Sequence, residues 1–247
     1  MAVSKATLDR YLREVTERIT TIAGRTKPYR TDPSGMGRLR TISTPQQRTA
    51  GKAGYSFTRD DTPRRDQLVI WDHVWRHAEL MEVMHQALYA YQHRVLHRYE
   101  IDTLRRWIDR CSCWEHSDDL SKIFADALEP HPEWLLPTLQ TWTTSNNPWK
   151  RRQSVVALIE YASKRKRFLP WQTLIDQVTP LLADEDYYVQ KGVGWTIREI
   201  GNAYPEKMER YLDEHLLELS AQAYAGVTKN MEKPVRNALT AQRRKGV

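Results

Sequence analysis

The sequence predicts an all-α chain, and three observations carry that expectation. From Leu68 onward the apolar positions recur at helical spacing, as in Leu80, Val83, Met84, Ala87, Leu88, Tyr91 and Val95; a period of 3.6 rather than 2 sets such residues on one helix face. No run in the body of the chain shows strand alternation. The third observation is an internal period: Asn146-Asn147-Pro148-Trp149-Lys150-Arg151-Arg152 and Glu185-Asp186-Tyr187-Tyr188-Val189-Gln190-Lys191 lie 39 residues apart. Each is a polar turn followed by an aromatic and, three places later, a cation. Repeats of about 40 residues built from antiparallel helix pairs make a HEAT-like α-solenoid, a superhelix with a curved inner face. A plain helical bundle is the alternative that these patterns leave open.

Taken in order, the elements begin with a helix from about Thr7 to Ile22 that buries Leu8, Leu12, Val15 and Ile19, within an N-terminal segment 1–24. Residues 25–54 carry Gly35, Gly37, Gly51 and Gly54 with Pro28, Pro33 and Pro45, and are expected to be a flexible basic loop or a hairpin. Residues 55–247 form the repeat domain, continuous with the first helix. Its further helices are expected over Ile101–Arg110, Asp118–Leu128, Pro132–Trp142, Trp149–Lys164, Trp171–Leu182, Val189–Ile200, Pro205–Leu217 and Pro234–Gln242. Prolines at or near helix starts (Pro132, Pro205, Pro234) and polar breaks such as Thr144-Ser145-Asn146-Asn147 separate them.

Composition narrows the class of protein. With 40% hydrophobic and 28% charged residues over 247 positions, and only 10 Gly and 12 Pro, a collagen-like or largely disordered chain is excluded. No apolar run approaches the roughly twenty residues of a membrane span. Lys5, Asp9, Arg10, Arg13 and Glu14 interrupt any signal-peptide core, so a soluble cytoplasmic protein is expected. Cys111 and Cys113 are too few for a disulfide framework or a four-ligand zinc site. His73/His77 and His93/His97 have the spacing of a metal pair but no clear third ligand, so no metal and no cofactor are expected.

The excess charge is concentrated. Between Arg25 and Arg65 stand ten basic residues against three acids, a difference equal to the net charge of +7 of the whole chain. A second cluster (Lys150, Arg151, Arg152, Lys164, Arg165, Lys166, Arg167) and a third (Arg243, Arg244, Lys245) follow. Three such sites suit one phosphate backbone, whereas a single cluster is as readily a solvated surface.

Candidate chemistry rests on three tryptophans out of nine. Trp114 precedes Asp118 by four, which puts indole and carboxylate on one side of a helical turn. Trp149 precedes Arg152 by three. Trp195 follows Gly192 and Gly194, where the backbone admits close neighbours. Each has a structural alternative: Asp118 as a helix N-cap, Trp195 as core, Arg152 as a surface ion-pair partner.

Together, Cys113-Trp114-x-x-x-Asp118, Trp149-x-x-Arg152, Val189-Gln190-Lys191-x-x-Gly194-Trp195-x-x-Arg198-Glu199 and Thr62-Pro63-Arg64-Arg65 resemble the DNA alkylation repair family, the AlkD-like HEAT-repeat DNA glycosylases. The resemblance runs from about Tyr55 to Tyr211. It implies a helical solenoid that wraps duplex DNA in a concave basic groove and hydrolyses the N-glycosidic bond of N3- or N7-alkylated purines in base excision repair. By motif match Asp118 stabilises the developing sugar cation, Trp114 and Trp195 offer indole faces to it, and Arg152 holds the backbone. The remaining DNA contacts are expected from Arg151, Lys150, Lys191 and Trp149 around the second cluster, and from Arg38, Arg40, Arg48, Lys52, Arg64 and Arg65 in the basic arm. The protein is expected to act as a monomer.

The family's active members carry a short helix where this chain has its basic Gly/Pro segment, and branches with a basic hairpin lack excision activity and prefer branched DNA. A non-catalytic binder of branched or damaged DNA is therefore the alternative, followed by a scaffold for an acidic protein.

Overall fold

The computed structural model describes residues 3–24, 28–30, 36–39, 41–59, 61–159 and 168–246, with Tyr29 and Arg30 as backbone only. Two units divide the chain, Met1–Asp119 and Leu120–Val247, a division that the expectation of one continuous domain does not contain. Among the described residues the secondary structure is helical apart from one pair of two-residue strands.

In the first unit, α1 (Lys5–Ala23) starts where the Ser4 hydroxyl accepts from the Thr7 amide at 3.2 Å and stops at Gly24, whose φ of 74° only glycine adopts readily. Its apolar stripe buries Val15 and Ile19. Strands β1 (Tyr29–Arg30) and β2 (Gly37–Arg38) pair antiparallel, Tyr29 opposite Arg38 and Arg30 opposite Gly37, so a hairpin forms within the basic arm. The rest of that arm corrects the expectation of a loop or hairpin through residue 54: α2 spans Thr44–Lys52. Pro45 occupies its first turn, and the Gln46 side-chain oxygen accepts from the Ser43 amide at 2.9 Å, which satisfies one of the donors a helix start leaves open.

Then come α3 (Arg64–His77), α4 (Met81–Tyr91), α5 (Arg98–Leu104), a 3-10 segment Arg105–Arg110, and α6 (Trp114–Leu128), which carries the unit boundary. Helix α1 packs on α3 and α4, and α2 packs on α4. The core centres on aromatic residues: Tyr55, Phe57 and Trp71 meet edge to face or stacked at 4.9–5.7 Å, and Trp75 stacks on Trp107 at 4.9 Å. Along α4 the predicted stripe of Leu80, Val83, Met84, Ala87, Leu88 and Tyr91 is buried, but Val95 is 88% exposed because the helix ends at Tyr91. The helix expected over Ile101–Arg110 divides into α5 and the tighter 3-10 segment, where Trp107 and Ile108 both turn inward.

The second unit holds α7 (Pro132–Trp142), α8 (Pro148–Val156), α9 (Trp171–Val178), α10 (Tyr187–Ala203), α11 (Pro205–His215), α12 (Ala221–Val227) and α13 (Lys233–Lys245). Helix α8 ends eight residues short of the expected Lys164, and residues 160–167, with the cations of the second cluster there, lie outside the described residues. Helix α10 packs on both α8 and α12. The 39-residue period is visible in the caps: the Asn147 side chain accepts from the Trp149 amide at 2.9 Å, and the Asp186 side chain from the Tyr188 amide at 2.8 Å. The repeat-equivalent rings Trp149 and Tyr188 meet at 5.3 Å. No helix among the described residues is long and apolar enough to cross a membrane.

Candidate nucleic-acid interface

The motif residues Trp114 and Asp118 belong to α6 in the first unit. The helix opens with Trp114, since the Ser117 amide already donates to the Cys113 carbonyl at 3.3 Å. Asp118 therefore lies inside the helix and is not its N-cap. His116, Ser117 and Leu120 turn inward and are fully buried, which leaves Trp114 and Asp118, 40° apart around the axis by helical geometry of about 100° per residue, on the outer side. Trp114 is 48% exposed, the only one of the nine tryptophans in the exposed class, whereas Asp118 is half-buried. Beside them the thiols are inert: burial pushes Cys113 up to about 12 and Cys111 upward as well.

Beneath this turn lies a buried histidine pair. The rings of His85 and His116 stand 4.7 Å apart, His85 Nε2 is 3.6 Å from an Asp119 oxygen, and burial holds both imidazoles below their ordinary range. On its edge Arg38 pairs with Glu115 and its Nε lies 2.6 Å from Met81 Sδ.

The other cations of the first unit divide by what holds them. Arg64 makes two 2.7 Å bonds to the fully buried carboxylate of Glu100 and one of 2.6 Å to the Val95 carbonyl, so its place in the Thr62-Pro63-Arg64-Arg65 motif is an internal clamp. That carboxylate holds the guanidinium firmly charged. Arg65, in contrast, is exposed and lies over the Tyr99 ring at 4.6 Å. Arg48 and Lys52 are exposed on α2, the former 5.7 Å from the Tyr89 ring. Arg40 lies outside the described residues.

In the second unit the long motif on α10 is mostly spent on packing. Gln190 donates to the Leu181 carbonyl at 2.8 Å and accepts from Ser220 at 2.7 Å. Gly194 faces the backbone of α12, where a Cβ would sit 2.3 Å from the Ala223 oxygen. Arg198 donates to the Gly226 carbonyl at 3.0 Å and pairs with Glu199. In the same motif Trp195 is half-buried and Lys191 is exposed.

Arg152 is not at the surface. It is 4% exposed, donates to the Tyr188 carbonyl at 2.6 Å, and fits against Gly192, where a Cβ would come within 3.1 Å of its Nη1. Arg151 is likewise engaged, with Asp184 at 2.5 and 3.3 Å and the Ser145 carbonyl at 2.8 Å. Around the start of α10, however, Tyr187 and Tyr188 are 52% and 39% exposed, Lys191 lies 5.3 Å from the Tyr187 ring, and Trp149 and Lys150 are half-buried. Exposed rings interleaved with cations suit nucleic acid. Sequence reasoning passed over Tyr187 and Tyr188, although two adjacent aromatics on the first turn of a capped helix were the signal. In the third cluster Arg243 is engaged with the Tyr224 ring and the Leu219 carbonyl.

The model of the DNA alkylation repair enzyme family matches residues 35–230 of this chain. The chain belongs to the DNA alkylation repair enzyme family. Among solved structures it is similar to AlkD2 from Streptococcus mutans, at 15% identity and a TM-score of 0.60, covering 91% of this chain and 99% of the other. It is also similar to a predicted DNA alkylation repair enzyme from Enterococcus faecalis, at 18% identity and a TM-score of 0.64, covering 94% and 98%. No curated protein matches. The likeness fixes the fold of this DNA alkylation repair protein as all-α and HEAT-like, as its helical period predicts.

Proposed function

We propose that this DNA alkylation repair family member binds duplex DNA and releases N3- and N7-alkylated purines by hydrolysis of the N-glycosidic bond. The observation that carries the reading is the Trp114–Asp118 turn: an indole left half in water one helical turn from a half-buried carboxylate on the same side of the helix. An alkylated purine is already cationic, so the glycosidic electron pair leaves with the base without prior protonation. The barrier is the positive charge that develops on the deoxyribose. Asp118 offsets that charge and orients the water whose oxygen bonds to the anomeric carbon, the water's proton passing to solvent. Trp114 presents an electron-rich face to the cationic sugar, and Trp195, in the second unit, is a further ring surface for DNA. The step asks for no metal and no cofactor.

Lys191, Lys150, Arg48, Lys52 and Arg65 supply backbone contacts in this reading, with Trp149, Tyr187 and Tyr188 as ring surfaces. Arg152 acts by holding the Tyr188 turn, and Arg64 and Arg151 by holding their own elements. The paired strands β1 and β2 favour a second reading, a non-catalytic binder of branched DNA. Base release from methylated duplex DNA, followed by chromatography of the freed bases, separates the two. Wild type is expected to liberate N3-methyladenine or N7-methylguanine, and Asp118→Asn to lose on the order of a hundredfold or more of the rate while binding persists. Strong binding to junctions by wild type with no base released overturns the glycosylase reading.

A further inference from the structure

Arg38 sits on the hairpin strand, in the most basic part of the chain, where a phosphate contact is the obvious role. Its surroundings argue otherwise. Strand β2 is fastened to the start of α4 on both sides of it: the Gly37 amide donates to the Glu79 carbonyl at 2.9 Å, and the Leu39 amide donates to a carboxylate oxygen of the buried Glu82 at 3.0 Å. Gly37 fits so closely that a Cβ there would lie 2.9 Å from Leu80 Cδ2. Between these two bonds the Arg38 side chain reaches over Met81 to Glu115, with 29% and 22% of the two side chains exposed. Glu115 stands between Trp114 and the buried His116, three residues before Asp118.

We infer that Arg38 and Glu115 are a positioning pair that ties the hairpin strand to the first turn of α6, so that DNA held by the arm's other cations sets the place of Trp114 and Asp118. A guanidinium whose charge is matched by Glu115 gains little from a phosphate, because that phosphate must first displace the carboxylate. Among the described residues of this arm, the cations left for DNA are the exposed Arg48, beside the Tyr89 ring, and Lys52 on α2. This inference rests on the DNA-binding reading for its purpose, though the tie itself is a property of the protein alone.

Exchanging the two charges tests it, since Arg38→Glu together with Glu115→Arg keeps the net charge at +7. Two measurements are made on wild type, on each single variant and on the exchanged pair. Hydrogen exchange in DNA-free protein reads the Gly37 and Leu39 amides. Fluorescence anisotropy reads affinity for a labelled duplex and a labelled four-way junction over a salt series. Arg38→Glu is expected to expose both amides and to weaken binding about tenfold, and the exchanged pair to recover amide protection, with affinity within about twofold of wild type and an unchanged salt slope. Arg38→Gln and Glu115→Gln serve as the milder variants should a reversed charge unfold the unit.

A phosphate contact gives the opposite result: the exchanged pair stays as weak as Arg38→Glu and the salt slope falls by about 0.9. That outcome, or amide protection unchanged in both single variants, overturns the inference. If wild type binds neither DNA, the DNA reading fails, and the exchange data still decide whether the tie exists.

Discussion

Replacing Gly194 with alanine tests how the second unit holds Trp195. A Cβ at this position would lie 2.3 Å from the Ala223 oxygen, 2.8 Å from its Cα and 2.9 Å from its carbonyl carbon. All three obstacles are backbone, so no rotamer change relieves them. Ordinary contact needs about 3.4 Å, and α10 and α12 must therefore part by about 1 Å. Parting also lengthens the 3.0 Å bond from Arg198 to the Gly226 carbonyl. Overpacking of this kind costs about 1–3 kcal/mol, and the rigid obstacle puts it at the upper end. Alanine regains up to about 1 kcal/mol of helix propensity, which leaves a net loss of about 2 kcal/mol. Gly201 on the same helix is the internal control. Its Cβ would meet the Met208 side chain, Cγ at 3.1 Å, which can swing away, so Gly201→Ala gains propensity at little cost. Urea titrations should place the Gly194→Ala midpoint below wild type and the Gly201→Ala midpoint at or above it, with a common slope. A Gly194→Ala midpoint equal to that of Gly201→Ala refutes the close-crossing argument.

Two further outcomes follow from the first unit. Arg64→Ala strands the fully buried Glu100 carboxylate, leaving it among the described residues with the His97 amide, at 2.8 Å, as donor; the cost is about 3 kcal/mol. Chemical denaturation checks it, and undiminished stability combined with a shallower salt dependence of DNA binding would mark Arg64 as a phosphate contact instead. Acid should also weaken the unit through His85 and His116, whose native imidazoles burial keeps below 6.5, against Asp119 and Glu115 in the case of His85 and reinforced by His85, Arg38 and Arg110 in the case of His116. The unfolded chain takes up protons there first, so stability is full above about pH 6.5 and falls as pH drops below it. His116→Gln should flatten that fall between pH 7 and 5, and an equally steep decline in the variant would place the sensitive group elsewhere.

The fold was legible wherever an apolar stripe continued through several turns. Helix α4 follows its stripe to Tyr91, and only Val95, beyond the last turn, is misplaced. Helix α2 was hidden because its nine residues bury only Gln47 and Ala50, too little for a period to appear; Ser43-Thr44-Pro45-Gln46 was the sign of its start. Over six residues a 3-10 winding and an α-helix give nearly the same sequence pattern, so the change at Arg105 was not readable. Trp114 and Asp118 were candidates through their spacing of four together with the family resemblance, since spacing alone left Asp118 open as an N-cap. The arginines were harder, because whether a cation reaches solvent depends on distant partners: Glu100 for Arg64, Asp184 for Arg151 and the Tyr188 carbonyl for Arg152.

The silent thiols beside Trp114 bear on the setting in which a protein of this family operates. Electrophiles that methylate purines attack thiolates still more readily, and a cysteine of ordinary acidity next to the proposed reaction site would be consumed by the same agents that create the lesions. With its proton held to about pH 12, Cys113 offers on the order of one anion in 10⁵ molecules at neutral pH. Cys113 thus stands beside the candidate centre as a sulfur that burial keeps in its protonated, weakly nucleophilic form.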